Sequence, residues 1–116
     1  MMMLYKLAGH DPVPVENVEE WGSVFEGDRR IARDEFTTAE GETILVSTVF
    51  LAVDHGLGLE SKPVLFETMV FGGPLNNKMW RFHTWDEAME GHARAVHISQ
   101  EYGATLKGRS ATRFRV

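Results

Sequence analysis

Apolar residues recur along this chain with two different periods, one of strands and one of helices. From Val46 to Asp54, and again from Leu65 to Phe71, nearly every position is apolar, the mark of strands packed on both faces, expected over 43–54 and 64–71. Each run also carries polar groups near its middle, Ser47-Thr48 in the first and Glu67-Thr68 in the second. Side chains alternate along a strand. Val46, Thr48, Phe50 and Ala52 therefore share one face and Leu45, Ser47, Val49, Leu51 and Val53 the other. In the second run Val64, Phe66, Thr68 and Val70 oppose Leu65, Glu67, Met69 and Phe71. With apolar residues on both sides, both faces of the sheet are expected to be covered.

The helical period appears twice. Val18, Trp21 and Phe25, with Val24 beside them, make one apolar stripe and predict a helix over 15–26, with Pro14 in its first turn and Gly27 as its stop. Thr84-Trp-Asp-Glu87 is a capping box, and Trp85, Ala88, Met89, His92, Ala95, Val96, Ser99 and Tyr102 continue at helical spacing to Gly103, predicting a helix over 85–102. Shorter strands are expected at 4–8, 31–36 and 79–83, with His10-Asp11-Pro12 breaking the first and turns at 37–42, 55–63 and 72–77. Short connections favour antiparallel neighbours. The predicted class is α+β: an antiparallel β-meander of about four strands, one helix before it and one long helix after it. Residues 1–103 would form a single domain and 104–116 a basic extension, either disordered or ordered only on a partner, and dispensable for folding.

Composition narrows the classes. A chain of 116 residues, 43% hydrophobic and 25% charged, suits one core. With no cysteine there is neither a disulfide scaffold nor a thiolate zinc site. The N-terminus lacks a signal-peptide pattern, and no apolar run approaches the roughly 20 residues that span a bilayer, so membrane insertion is disfavoured. Charge is uneven. Residues 16–42 hold nine acids and three arginines, whereas the last ten residues hold Lys107, Arg109, Arg113 and Arg115 with no acid. The acids around Arg29, Arg30 and Arg33 disfavour a broad nucleic-acid surface, while the tail suits an acidic partner.

Candidate chemistry centres on the strand ends. Asp54-His55 lies where the first long strand enters a glycine-bearing loop, a common place for functional side chains. Glu67, with Leu65, Met69 and Phe71 on its face, is expected to be partly buried and to need a partner such as Arg81 or His83; it is either a general base or half of a structural ion pair. A metal site would require Asp54, His55, His83 and His92 to converge in the fold. His92 and His97, five apart and so about 140° apart around a helix, cannot chelate together, and no cofactor is expected. Candidate binding residues are Arg81, His83, Arg29 and Arg30, suited to phosphate, together with Arg109 and Arg113 in the tail.

The segments Val46-Ser-Thr-Val-Phe-Leu-Ala-Val-Asp-His55, Leu65-Phe-Glu-Thr-Met-Val-Phe-Gly-Gly73 and Thr84-Trp-Asp-Glu-Ala-Met-Glu-Gly-His92 resemble a family of small proteins, without an established activity, encoded by tailed phages, prophages and bacteria. The resemblance covers roughly residues 4–95. It implies a phage or prophage origin and the cytoplasm of a bacterial host, and supplies no catalytic residues. Such proteins usually end soon after the last helix, whereas this chain continues into its basic tail. The expected function is a non-enzymatic binding or regulatory protein, acting on a host, defence or phage component and forming a homodimer through apolar sheet surface. The alternatives are a metal-dependent or general-base hydrolase using Asp54, His55, Glu67 and His83, and a protein that sequesters a small nucleotide.

Overall fold

Two sheets and two helices build the molecule, which is described by a computed structural model for residues 3–56, 58–59, 61–102 and 114–115. In chain order the elements are β1 (Tyr5–Ala8), β2 (Asp11–Pro14), α1 (Val18–Glu26), β3 (Arg30–Thr37), β4 (Thr43–Phe50), β5 (Phe66–Phe71), β6 (Met79–Phe82), α2 (Trp85–Tyr102) and β7 (Phe114–Arg115). The main sheet has the order β6-β5-β4-β3-β7 with every pair antiparallel. Its four strands β3 to β6 form the expected meander, with α1 before it and the long α2 after it. The fold is α+β.

One face of this sheet is the core. Asp34, Phe36, Ile44, Val46, Thr48, Phe50, Phe66, Thr68 and Val70 are buried in phase along their strands, beneath α2. Each fully buried phenylalanine here contributes about 2–3 kcal/mol by leaving water. Helix α2 begins as its capping box dictates: the Thr84 hydroxyl accepts the Glu87 N–H at 3.1 Å, and the Glu87 carboxylate accepts the N–H groups of Thr84 and His83. Gly91 is where α2 meets β6 most closely, since a Cβ there would sit 2.0 Å from Phe82 Cζ.

The opposite face is left partly exposed within one chain. No described helix covers it. Leu45, Val49 and Met69 are half-buried, and Phe71 and Met79 are 41% and 45% exposed. Read strand by strand, both faces of β4 are apolar, but its neighbours place the ion pairs Arg33–Glu35 (3.2 Å) and Glu67–Arg81 (3.1 Å) on this outer side. The mixture lets the face meet water.

The N-terminal region departs from expectation. Residues 11–14 do not lead into a helix; they form β2, paired with β1 so that Leu7 faces Pro12 and Tyr5 faces Pro14. Two prolines fit in one strand because alternate N–H groups of an antiparallel ladder point away from the partner. The helix starts later than expected, at Val18, where the Asn17 side chain accepts the Glu20 N–H at 2.7 Å. This hairpin and α1 pack against the end of the core formed by Ile31, Phe50, Ala52, Leu65, Phe66, Trp85 and Ala88. Ala52 ties them down. Its carbonyl accepts both the Tyr5 N–H at 2.8 Å and the Trp21 indole N–H at 3.3 Å, and its φ of 65° puts a non-glycine residue in the left-handed region, at a cost of about 1 kcal/mol. In the tail, Phe114–Arg115 adds two residues to the edge of β3, while residues 104–113 and 116 of the expected extension, and Gly103 before it, lie outside the described residues.

Candidate functional site

Three places in the molecule gather polar or open chemistry. The first lies under α2. Thr48 and Thr68 face each other across β4 and β5, and Asp34 projects from β3 into the same layer. His92 descends from α2 between them. Its Nε2 lies 2.7 Å from Asp34 Oδ2 and its Nδ1 2.7 Å from Thr48 Oγ1, which lies 2.5 Å from Thr68 Oγ1. A carboxylate can only accept, so Nε2 donates to Asp34; on the neutral ring Nδ1 then accepts the Thr48 O–H, and Thr68 donates to Thr48. Asp, His and hydroxyl stand in the order of a nucleophile triad. Access is missing. Asp34 and His92 are 2% exposed and Thr48 and Thr68 are 0% exposed, so a substrate has no path to the Thr48 oxygen. Nearby on the same buried side of α2, the Ser99 hydroxyl is enclosed without a hydrogen-bond partner among the described residues.

The second place is an open cleft of about 390 Å³ between the hairpin, α1 and the end of the main sheet. Leu7, Val24, Ile31, Phe50 and Trp85 supply its apolar lining, and Lys6, Asp28, Arg29 and Arg30 its charges. The Trp85 indole is held by His10, which stacks on it at 3.9 Å with the rings nearly parallel. On the rim, Lys6 pairs with Glu20, and Arg30 grips Asp28 through two side-chain hydrogen bonds of 2.9 and 3.0 Å. The Arg30 guanidinium and backbone N–H hold the Asp28 carboxyl down at about 2.

The third is a polar hollow of about 220 Å³ where β6 meets α2, lined by Arg81, His83, Glu87, Glu90 and Arg94 among others. Glu87 is stabilised as a carboxylate there: desolvation is the largest single effect and raises its pKa, but the N–H groups of His83 and Thr84, the His83 charge and the Thr84 hydroxyl together outweigh it.

The residues singled out in the sequence distribute over these places without forming one catalytic group. Asp54 spends its carboxylate on the loop that follows it, accepting the N–H groups of Val64 and Gly56 at 2.8 Å and Gly58 at 3.1 Å. The Val64 bond is the main reason its pKa lies below the ordinary carboxylate value. His55 is exposed and gives its backbone N–H to the Val64 carbonyl. His83 reaches the same segment from the other side, with Nδ1 3.1 Å from the Pro63 carbonyl. Glu67 is on the outer face, paired with Arg81 at 3.1 Å. His92 is committed to Asp34 and Thr48, and among the described residues no group of three or more His, Asp or Glu side chains could hold a metal ion. Arg81 and His83 share the polar hollow; Arg29 and Arg30 share the cleft. Arg109 and Arg113 lie outside the described residues.

Thr48 and Thr68 were visible as hydroxyls in apolar strands, but their acid was not. Asp34 reads as one of the nine acids of residues 16–42. Its signal is phase, because it alternates with Ala32 and Phe36 on the face turned toward α2. The cleft has no comparable signal, since its lining comes from five separate segments. No family model, curated protein sequence or solved structure matches this chain.

Proposed function

We propose that this chain is a binding protein with no chemistry of its own, of the small regulatory kind that its resemblance to phage and prophage proteins implies, acting on a host or phage component in the bacterial cytoplasm. One contrast in access carries the reading. The acid–base–hydroxyl chain Asp34–His92–Thr48 is sealed, whereas the cleft floored by Ile31, Phe50 and Trp85 is open. A concave apolar surface with a few convergent polar groups is the usual form of a ligand site. The test is a titration of isotope-labelled protein with indole as the probe, followed by NMR. Shifts concentrated at the Trp85 indole and the methyl groups of Leu7, Val24 and Ile31 are expected. Their absence would refute the cleft as a binding site, and hydrolysis of model esters that disappears in Thr48→Val would overturn the non-enzymatic reading.

The outer sheet face supports self-association in the same framework. Leu45, Val49, Met69, Phe71 and Met79 lie between pairs of opposite charge, Arg33–Glu35 and Glu67–Arg81. A face carrying both signs can complement a second copy of itself. Sedimentation at micromolar concentration should give a homodimer, and a monomer would refute it.

A further inference from the structure

The cleft has three cations on its rim, and their partners differ. Lys6 is neutralised by Glu20 and Arg30 by Asp28. Arg29 has no acid partner among the described residues. Arg29 is half-buried as a residue, its guanidinium carbon lies 4.3 Å from the centroid of the Phe25 ring, and one of its terminal nitrogens donates to the carbonyls of Phe50 and Leu51 at 3.3 Å each in part-buried hydrogen bonds. Those contacts fix one prong of the fork. The Nε–H and the second terminal nitrogen have no partner among the described residues, at the border of an apolar cleft. A partly desolvated guanidinium is costly unless matched by an anion, and its planar donor array fits carboxylate or phosphate oxygens in pairs.

We propose that the cleft binds a small amphipathic anion, with an aryl body against Leu7, Val24, Ile31, Phe50 and Trp85 and its carboxylate or phosphate on Arg29. This rests on the cleft being the binding site and adds the ligand's chemical class. A volume of about 390 Å³ accommodates a body of one or two fused rings and an anionic group. Arg30, already engaged by Asp28, is not the anchor.

Isothermal titration compares indole, indole-3-acetate and indoxyl phosphate, which share one ring system and differ in charge. Adenosine and adenosine monophosphate form a second pair, which tells a nucleotide from a carboxylate ligand. The anions are expected to bind about tenfold or more tighter than the neutral parents, with the advantage shrinking as salt rises. Arg29→Gln should remove that advantage while indole still binds, Arg29→Lys should keep only part of it, and Lys78→Gln, at an exposed position outside the cleft, should leave it unchanged. Equal affinity for neutral and anionic members, or an advantage that survives in folded Arg29→Gln protein, would overturn the proposal while leaving the cleft as a binding site. If neither indole nor any anion binds, the cleft reading itself fails. Should Arg29→Gln not fold, the ratio of indole-3-acetate to indole affinity in the unaltered protein, and its salt dependence, decide the matter.

Discussion

Replacing Thr48 with valine removes one hydroxyl from the middle of the Asp34–His92–Thr48–Thr68 chain and keeps the branched shape. The hydroxyl has two partners, His92 Nδ1 at 2.7 Å and Thr68 Oγ1 at 2.5 Å, and no exposure to water. Two net hydrogen bonds are worth about 1 kcal/mol each, and the ring nitrogen and Thr68 hydroxyl left without that partner add about 1 kcal/mol more. The expected loss is therefore about 3 kcal/mol, or roughly 12 °C in Tm for a domain of this size. Thr68→Val removes only the terminal bond and should cost about 1 kcal/mol. In the double variant the Thr68 hydroxyl no longer exists to be orphaned, so the combined cost should stay near 3 kcal/mol, about 1 kcal/mol short of additive. Urea unfolding of the four proteins measures all of these values. A Thr48→Val loss below about 0.5 kcal/mol, or strict additivity in the cycle, would refute the view that this buried chain is a coupled unit.

Gly91→Ala should lower stability by about 1–2 kcal/mol in a thermal melt, even though alanine is the better helix former, because the new methyl would land on the Phe82 ring. Asp54→Ala should cost about 2 kcal/mol at neutral pH by orphaning loop N–H groups. Because the Asp54 pKa is lower in the fold than its ordinary 3.8, its contribution is complete above that value and is lost as pH falls through the lower folded value. The acid limb of the stability curve should accordingly be shallower in Asp54→Ala. Glu67→Gln should change stability by less than about 1 kcal/mol, as its partner Arg81 is 42% exposed, and urea unfolding checks this.

What could be read from the sequence, and what could not, divides along local and non-local physics. The capping box of α2, the strand order and the Glu67–Arg81 pairing follow from residues close in sequence or adjacent in a hairpin. The start of α1 did not, because Pro14 suits a helix's first turn as well as an outward-facing position in β2, and only the pairing with Tyr5 decides between them. The outer face is apolar within β4 alone, whereas its polarity comes from Arg33 and Glu35 on β3 and from the Glu67–Arg81 pair across β5 and β6. Asp34 stayed hidden among surface acids because its burial depends on where α2, 58 residues away in the chain at His92, comes to rest.

The way the N-terminal hairpin is attached has a kinetic consequence. β3, β4 and β5 each pair with the next strand in the chain, so the meander is built from neighbours in sequence and should form early. The hairpin and α1 join it through the Leu4–Val53 bridge and the Ala52 carbonyl, which Trp21 reaches from 31 residues away. They dock late and, by the same logic, detach first. The cleft has its hairpin and α1 walls only while they are docked. A molecule held inside it can leave no more slowly than this unit opens, so the residence time is set by detachment at Ala52 as well as by the ligand's own contacts.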